Sequence, residues 1–596
     1  MPISEKIKYL KYRLSRVSTY ELLLAIKRKN VNFGNSPEEI AANSNPLIKT
    51  VLFAPEKQWC YLIALLMSTN AKNTKPQKNG FLEKFEEKIA RITNTYLSDF
   101  FGVCSADEFK KQNVENRIKA QICIEAFDAY YFQAPLRSIE QTRKLIIDLY
   151  GKYQDEFEKI RGLSFDTLFN FFEFISKKEQ ESFENPLSSL EDTFCFYEKV
   201  IYGINNDSNN EFSYNVFESG DLPDDKKSIL KKKIHDTFDL MKKTFIVTVD
   251  EIKNAFPDDY KTLINLFCLE RSERDFLYFD EKNPFLEKPL CFIDKEKIFI
   301  MGNHYLMNGI YNLISSTLEN NLDKIREKVL KNKSDQVENR FCDCFFKIFG
   351  SKCKIHRNVC EKEKDKEHDI LVEIDDFIII AEVKSGKFKA PFRDKEKGFE
   401  RIKRDFNNNG IGYAYTQAIK LKKHLDKNEE IILYEDMKNP FKIKASGKQI
   451  LICLFSLEQY GALTINLNGF LKKEENDPFP WVCNLCDFET IVELCEYLKT
   501  DYKKFLEYLC FRVRAHKNIL ACDEIDIIEP FLLNKDFPKD NNDCLIFEAN
   551  YNNYVTKIFY EKLGVPYKYN GTTIKKYDDK KGTENLNAFL KNQILK

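Results

Sequence analysis

Two apolar runs on either side of Asp375 and Asp376 set the strongest limit on the fold of this chain. The runs read ILVEI and FIIIAEVK, and only the two aspartates separate them. A tight turn at the aspartates predicts an antiparallel hairpin of two largely buried strands. Stepping outward from the turn, the register of this hairpin places Asp369 directly opposite Glu382.

The predicted carboxylate pair indicates a site for a divalent cation. Two carboxylates about 5 Å apart on a mostly apolar hairpin repel each other unless something neutralises them. Hard cations such as Mg²⁺ take carboxylate, water and phosphate oxygens as ligands. Lys384 lies two residues beyond Glu382, on the same face of the strand, where an ammonium group can position an attacking water or neutralise phosphate charge. The alternative is that Glu382 and Lys384 form an ordinary solvated pair at the end of a strand.

The residues around the hairpin predict an α/β arrangement between about 322 and 470. A helix ending at Gly350 leads into three strands, and two helical segments precede a fourth strand. The predicted strands are 355–360, 369–374, 377–384 and 449–457, and the predicted helical segments are 400–406 and 412–427. Strands flanked by helices in this way are typical of α/β domains.

This arrangement resembles the PD-(D/E)xK nuclease superfamily, also called restriction-endonuclease-like, over about residues 330 to 460. Asp369 matches the aspartate of the motif, Glu382 its acidic second residue and Lys384 its lysine. Glu338 matches the acidic residue that many members carry on the first core helix. His368 stands where the motif has proline. The resemblance implies a Mg²⁺-dependent nuclease, with Mn²⁺ as a second possible cofactor, in which Asp369, Glu382 and Glu338 bind the metal.

Two of the matched positions have structural alternatives. Glu338 also completes the pattern Asp335-x-x-Glu338, which fits a capping box at a helix start. Gln417 is a candidate auxiliary catalytic residue, but the signature Gln-x-x-x-Tyr of one branch of the superfamily is not met, because Leu421 stands where tyrosine is expected. A half-buried glutamine commonly satisfies a backbone group instead.

A basic segment directly follows the carboxylates. Residues 386–404 carry eight Lys or Arg against three acids. A run of this kind can follow a phosphate backbone, although it also fits a solvated loop and helix face. The candidate nucleic-acid contacts are Lys387, Lys389, Arg393, Lys397, Arg401, Lys403 and Arg404.

Composition limits the remaining possibilities. The 93 Lys+Arg balance the 93 Asp+Glu, which argues against a nucleic-acid coat protein, a polybasic membrane binder or an acidic disordered tail. The N-terminus lacks the apolar stretch of a secretory signal, and the 17 cysteines show no disulfide framework. Cys483-x-x-Cys486 lacks the second pair that a structural zinc site needs. We expect a cytoplasmic protein with reduced thiols and no membrane partner.

The fold class expected from these patterns is multidomain α+β, with an α/β restriction-endonuclease-like core that has a central mixed sheet. Mainly helical N- and C-terminal domains flank this core. The predicted boundaries are 1–285 for the N-terminal domain, 286–325 for a hairpin and helix connector, 326–470 for the nuclease-like domain and 471–596 for the C-terminal domain.

The function expected from the sequence is metal-dependent hydrolysis of phosphodiester bonds. DNA is favoured over RNA as the substrate, and endonuclease action over exonuclease action. One alternative is a non-catalytic nucleic-acid-binding or assembly protein with a nuclease-like module. Another is an RNA-directed nuclease in an antiviral defence or toxin-like role. The helical domains could bind a protein partner or a second copy of the chain.

Overall fold

The fold was analysed in a computed structural model of the 596-residue chain. It describes residues 2–30, 55–101, 111–131, 138–202, 244–362, 367–386 and 395–533, except for single positions within 73–79 and residues 321, 322, 437, 469 and 522. It also describes parts of 228–236 and the segments 545–547, 554–562 and 574–576.

Helices dominate the N-terminal third, as the apolar spacing predicts. They are Ile3–Leu14 (α1), Thr19–Asn30 (α2), Pro55–Met67 (α3), Phe81–Phe101 (α4), Val114–Tyr131 (α5), Ile139–Tyr150 (α6), Gln154–Arg161 (α7) and Phe165–Tyr202 (α8). Burial of apolar side chains stabilises this region, and helix α3 is an example. Its residues from Trp59 to Met67 are all buried, so α3 is an interior helix with apolar side chains on every side.

A small sheet follows these helices. Its strands are Ile246–Thr248 (β1), Cys268–Leu269 (β2), Leu290–Phe292 (β3) and Lys297–Ile300 (β4), in the order β1-β4-β3-β2. Three short helices accompany it: Val249–Ala255 (α9), Tyr260–Phe267 (α10) and Pro284–Glu287 (α11). The hairpin predicted within the connector 286–325 is confirmed by the antiparallel pairing of β3 and β4. The two outer strands lie within residues 1–285, so that region is not purely helical.

A seven-stranded mixed sheet carries the predicted site. Its strands are Lys354–Cys360 (β5), Glu367–Ile374 (β6), Phe377–Lys384 (β7), Glu430–Glu435 (β8), Asn439–Lys444 (β9), Gln449–Ser456 (β10) and Trp481–Asn484 (β11). The order is β11-β10-β7-β6-β5-β8-β9, with β10 parallel to both β7 and β11. The fold is therefore α+β with a mixed central sheet.

The predicted hairpin is confirmed, and its register matches the expectation as far as Ile370 and Ala381. β6 and β7 pair from Ile374 with Phe377 outward to Ile370 with Ala381. Asp375 has a φ of 43°, the left-handed conformation that two-residue hairpin turns require. Asp369 and Glu382 are the next residues in this register, one step beyond the last paired residues.

The sheet divides at this point. Beyond Ile370, β6 remains paired with β5, where His368 is opposite Val359. Beyond Ala381, β7 remains paired with β10, where Lys384 is opposite Ser456. We call the place where β6 and β7 part the fork. Backbone groups at the fork lose their partners from the neighbouring strand, so side chains must satisfy them.

Helices cover both faces of the sheet. The described α-helices that follow β4 are Asn303–Asn320 (α12), Asp323–Phe349 (α13), Lys395–Asn409 (α14), Ile411–Asp426 (α15), Ala462–Ile465 (α16), Leu485–Tyr497 (α17), Tyr502–Ala515 (α18), Ile525–Leu533 (α19) and Tyr554–Lys562 (α20). Phe341 of α13 stacks on Phe455 of β10 on one face. Ala414 and Ala418 of α15 belong to the same apolar cluster as Ile380 on the opposite face.

The sheets contain strands that the sequence analysis did not predict. The seven-stranded sheet extends beyond residue 470, because β11 pairs in parallel with β10. The C-terminal region also contains a three-stranded sheet of Ile519–Leu520 (β12), Leu545–Phe547 (β13) and Ile574–Lys576 (β14). The antiparallel pair β8 and β9 was not predicted. None of the described helices is long and apolar enough to span a membrane.

Candidate functional site

Asp369 is the first residue of β6 beyond the fork. Its Oδ2 accepts a hydrogen bond from the backbone N–H of Val383 at 2.6 Å. The same oxygen lies 3.9 Å from Nζ of Lys384. Asp369 therefore satisfies a donor that the separated strands leave unpaired, and it brings its carboxylate beside the lysine predicted to act with it.

Glu382 is a fully buried carboxylate, with 0% of its surface exposed. Its Oε1 lies 2.8 Å from Nδ1 of His368, whereas no donor group among the described residues is hydrogen-bonded to its Oε2. Burial, followed by the charge of the neighbouring Asp369, raises the pKa of Glu382 well above its ordinary value. The alternative of a solvated pair at the end of the strand is wrong for Glu382, because water does not reach it.

Lys384 ends β7 and is held by the helix that covers this face. Its Nζ donates a hydrogen bond to Oε1 of Gln417 at 2.9 Å and lies 5.6 Å from the centre of the Tyr413 ring. Both partners project from α15, one helical turn apart, so a single helix places them on one side of the lysine. Gln417 thus contacts the lysine ammonium rather than a backbone group.

Glu338 approaches the fork from α13. The capping-box alternative is wrong, because α13 begins at Asp323 and Glu338 lies in the middle of the helix. Its Oε1 accepts a hydrogen bond from Ser334 Oγ at 3.3 Å, and its Oε2 lies 3.5 Å from Nη2 of Arg357. Burial and the charge of Asp369 raise the pKa of Glu338 to about 7, although Arg357 acts in the opposite direction.

The donor set at the fork fits a hard cation in its chemistry. Asp369 contributes to the raised pKa of both Glu338 and Glu382, so the three carboxylates lie within electrostatic reach of one another. The part of the chain that the structure describes contains no cluster of three or more His, Cys, Asp or Glu side chains arranged to hold a metal ion. Mg²⁺ typically binds through one or two carboxylates, with waters and substrate phosphates completing its shell. The orphaned Oε2 of Glu382 and the nearby Asp369 provide such a pair.

The basic segment is only partly described. Lys387, Lys389 and Arg393 lie outside the described residues. Of the other candidates, Lys397 and Arg404 are exposed on α14. Arg401 and Lys403 are half-buried on the same helix, and Arg401 Nε lies 3.5 Å from Oδ2 of Asp405. The exposed cations are therefore the better candidates for contact with a nucleic acid.

Three further residues belong to the site, and sequence reasoning gave them no role. His368 contacts Glu382, while Arg357 and Ser334 contact Glu338. Strand alternation assigns His368 and Glu382 to opposite faces, so their contact is not readable from the hairpin pattern. It arises at the fork, where the two strands no longer share one pleated surface.

Cys483 and Cys486 lie on β11 and α17, which carry none of the predicted catalytic residues. Both side chains are buried, the first at the end of β11 and the second at the start of α17. Burial raises the pKa of Cys483 well above its ordinary value, so its thiol strongly favours the protonated form. A protonated thiol is a poor metal ligand.

We compared the chain with models of protein families, with characterised proteins and with solved structures, and none of the three comparisons gave a match. The case for a function therefore depends on the residues at the fork.

Proposed function

We propose that this protein is a divalent-metal-dependent nuclease with a restriction-endonuclease-like core, and that it hydrolyses phosphodiester bonds in DNA. The main support is that a completely buried carboxylate, Glu382, lies beside Asp369 and Lys384, and one of its oxygens receives no hydrogen bond from a donor group among the described residues. Burying a carboxylate without a compensating partner is costly, and a cation is the partner that this set of groups best accommodates.

The order of elements around the fork supports the same proposal. A helix bearing Glu338 leads into the antiparallel strands β5, β6 and β7, which helices α14 and α15 follow. The additional pair β8 and β9 comes next, and then β10, which is parallel to β7. Apart from β8 and β9, this is the order that the resemblance to PD-(D/E)xK nucleases implies. The acidic residue, the carboxylate pair and the lysine occupy the corresponding places along it.

Each side chain has a defined part in the proposed reaction. Asp369 and Glu382 would hold the cation, which when bound supplies Lewis-acid stabilisation of the charge on the phosphate. Lys384, oriented by Gln417, would position the attacking water and offset negative charge as it develops. Glu338 would assist only after losing its proton, because its pKa of about 7 leaves it partly protonated at neutral pH.

The test is a cleavage assay on supercoiled, linear and single-stranded DNA and on RNA, in Mg²⁺, Mn²⁺ or EDTA. The informative variants are Glu382→Gln and Lys384→Met. We expect cleavage with either metal, none in EDTA, and a loss of at least about 100-fold in both variants. Nicking of closed circular DNA would identify endonuclease action.

A matched control pair lies near the opposite end of the same hairpin. Glu373 of β6 and Lys448 beside β10 form an ion pair at 3.2 Å, and both side chains are largely buried. Glu373→Gln and Lys448→Met should leave cleavage unchanged. A wild-type protein that binds nucleic acid but cleaves none of these substrates would support a binding or assembly protein instead. If the protein cleaved RNA but not DNA, it would still be a nuclease, and its substrate would be RNA.

A further inference from the structure

His368 lies between two carboxylates at the fork. The residue is 6% exposed. Its Nδ1 lies 2.8 Å from Oε1 of Glu382, and its Nε2 lies 3.8 Å from Oε1 of Glu361. Glu361 directly follows the end of β5, and its side chain is partly exposed.

In the hydrogen bond between His368 and Glu382, the histidine is the donor when Glu382 is ionised. An ionised carboxylate can only accept hydrogen bonds, so Nδ1 must carry the proton whenever Glu382 is charged. Nδ1–H then holds Oε1, which leaves Oε2 as the oxygen available to another group. Oε2 is the oxygen that receives no hydrogen bond from a donor group among the residues described.

We propose that His368 is a positioning residue for Glu382: its Nδ1–H fixes Oε1 so that Oε2 is presented to a divalent cation. The inference rests on the proposed function, because it requires Glu382 to bind a metal. Residues that hydrogen-bond to metal-binding side chains fix the orientation of those side chains, and their loss typically weakens metal binding about 10- to 100-fold.

The local backbone makes this role possible. His368 is paired with Val359 of β5, so its main chain is fixed on the β6 side of the fork. Glu382 is opposite Leu454 of β10, so its main chain is fixed on the other side. The hydrogen bond between their side chains spans the division of the sheet and restricts the rotamer of a carboxylate whose backbone is already rigid.

Two amide substitutions distinguish the role of Nδ1, the proposed donor, from that of Nε2. The amide nitrogen of His368→Asn stands near the position of Nδ1, whereas that of His368→Gln stands near the position of Nε2. We would measure Mn²⁺ binding to the full chain by electron paramagnetic resonance of the free ion. We expect His368→Gln to bind Mn²⁺ about 10- to 100-fold more weakly, and His368→Asn to remain within about threefold of wild type.

The controls separate this role from general loss of a buried histidine. His356 on the neighbouring strand β5 also faces a glutamate, with Nε2 3.5 Å from Oε1 of Glu373, and His356→Gln should leave Mn²⁺ binding unchanged. Glu361→Gln removes the second carboxylate at a partly exposed position, where Glu361 also lies 3.7 Å from Nδ1 of His424. It should weaken Mn²⁺ binding by about three- to tenfold, since the ring loses one of its restraints.

Each outcome decides the inference. Equal Mn²⁺ binding by His368→Gln and wild type would overturn it, as would equally weak binding by both amide variants with unchanged melting temperatures. If His368→Gln fails to fold, Glu361→Gln becomes the deciding variant. Mn²⁺ binding by Glu361→Gln with the same affinity as wild type would then overturn the positioning role of His368. A wild-type protein that binds no Mn²⁺ would overturn the proposed function as well, whereas the preceding results overturn the inference alone.

Discussion

Oδ2 of Asp369 accepts a hydrogen bond from the backbone N–H of Val383 at 2.6 Å, at the place where β6 and β7 part. The aspartate therefore has a structural part in addition to its proposed chemical one. A buried N–H without a partner costs about 1–3 kcal/mol, and a side-chain oxygen here prevents that loss. This double role allows the two parts to be separated by substitution.

Asp369→Asn and Asp369→Ala should differ in stability but not in activity. The asparagine keeps an oxygen that can accept from Val383 and removes the repulsion with Glu382, so its free energy of unfolding should equal or exceed that of wild type. The alanine leaves the N–H unpaired and should lose about 1–3 kcal/mol. Both should abolish cleavage. Chemical unfolding alongside the cleavage assay tests this, and equal stability of the two variants would contradict the structural role.

Because the pKa of Glu338 is raised in the folded protein, the free energy of unfolding should fall as the pH rises. Its pKa rises from 4.5 to about 7 on folding, so the folded protein binds this proton more tightly than the unfolded chain. The resulting stabilisation is fully present below pH 4.5 and is lost as the pH rises to about 7. Glu338→Gln has no such proton to lose. In EDTA, its advantage over wild type should therefore grow between about pH 5 and pH 8, approaching about 3 kcal/mol.

Thermal unfolding of both proteins across this pH range measures the effect. Glu373→Gln is the matched control, because hydrogen bonding to His356 and the proximity of Lys448 lower the pKa of Glu373. Its difference from wild type should have the opposite sign, with the loss of stability largest at neutral pH. If the difference in stability between Glu338→Gln and wild type were the same at every pH, the pKa of Glu338 would not change on folding.

Exposed cations on α14 should contribute to nucleic-acid affinity in a salt-dependent way. Lys397→Glu and Arg404→Glu should each weaken DNA binding, and the slope of log affinity against log salt should become shallower by about one for each phosphate that the protein no longer neutralises. Lys282, which is 81% exposed in its side chain and pairs with Glu287, is the control for charge reversal. Binding measured by fluorescence anisotropy from about 0.05 to 0.3 M salt tests this. An unchanged slope in both variants would remove α14 from the interface.

A buried ion pair in the C-terminal region should dominate local stability. Glu524 Oε1 accepts hydrogen bonds from Arg512 Nε and Trp481 Nε1, each at 2.7 Å, and also from the hydroxyl of Tyr508. Arg512 is 1% exposed, so Glu524→Gln leaves a buried guanidinium without its counter-charge. We expect the loss of about 3–5 kcal/mol in the free energy of unfolding.

The exposed pair Lys504–Glu507 on the same helix as Arg512 provides the comparison. Its oxygen and nitrogen are 3.2 Å apart, but 63% of the Glu507 side chain is exposed. Glu507→Gln should cost less than about 1 kcal/mol, because water screens the exposed pair. Similar melting temperatures for the two variants would contradict a dominant role for the buried pair.

The sequence by itself determined the hairpin. Its apolar runs and the Asp-Asp turn are local features, and in a strand the side-chain period of two leaves only one register that buries both runs. It also placed Asp369, Glu382 and Lys384 at one end of that hairpin and Glu338 on the preceding helix. The hairpin prediction depends on spacing along a short stretch of chain, which is why it agrees with the strand pairing from Ile374–Phe377 to Ile370–Ala381.

Only the tertiary structure decided how those residues meet. The fork exists because β6 remains paired with β5 while β7 remains paired with β10. Strand β10 begins 65 residues after β7 ends. Pairing over such a distance leaves no local pattern. For the same reason, the contact of His368 with Glu382 and the position of β11 could not be read from the sequence. The complete burial of Glu382 depends on packing from both sides of the sheet, and that burial sets the chemistry of the site.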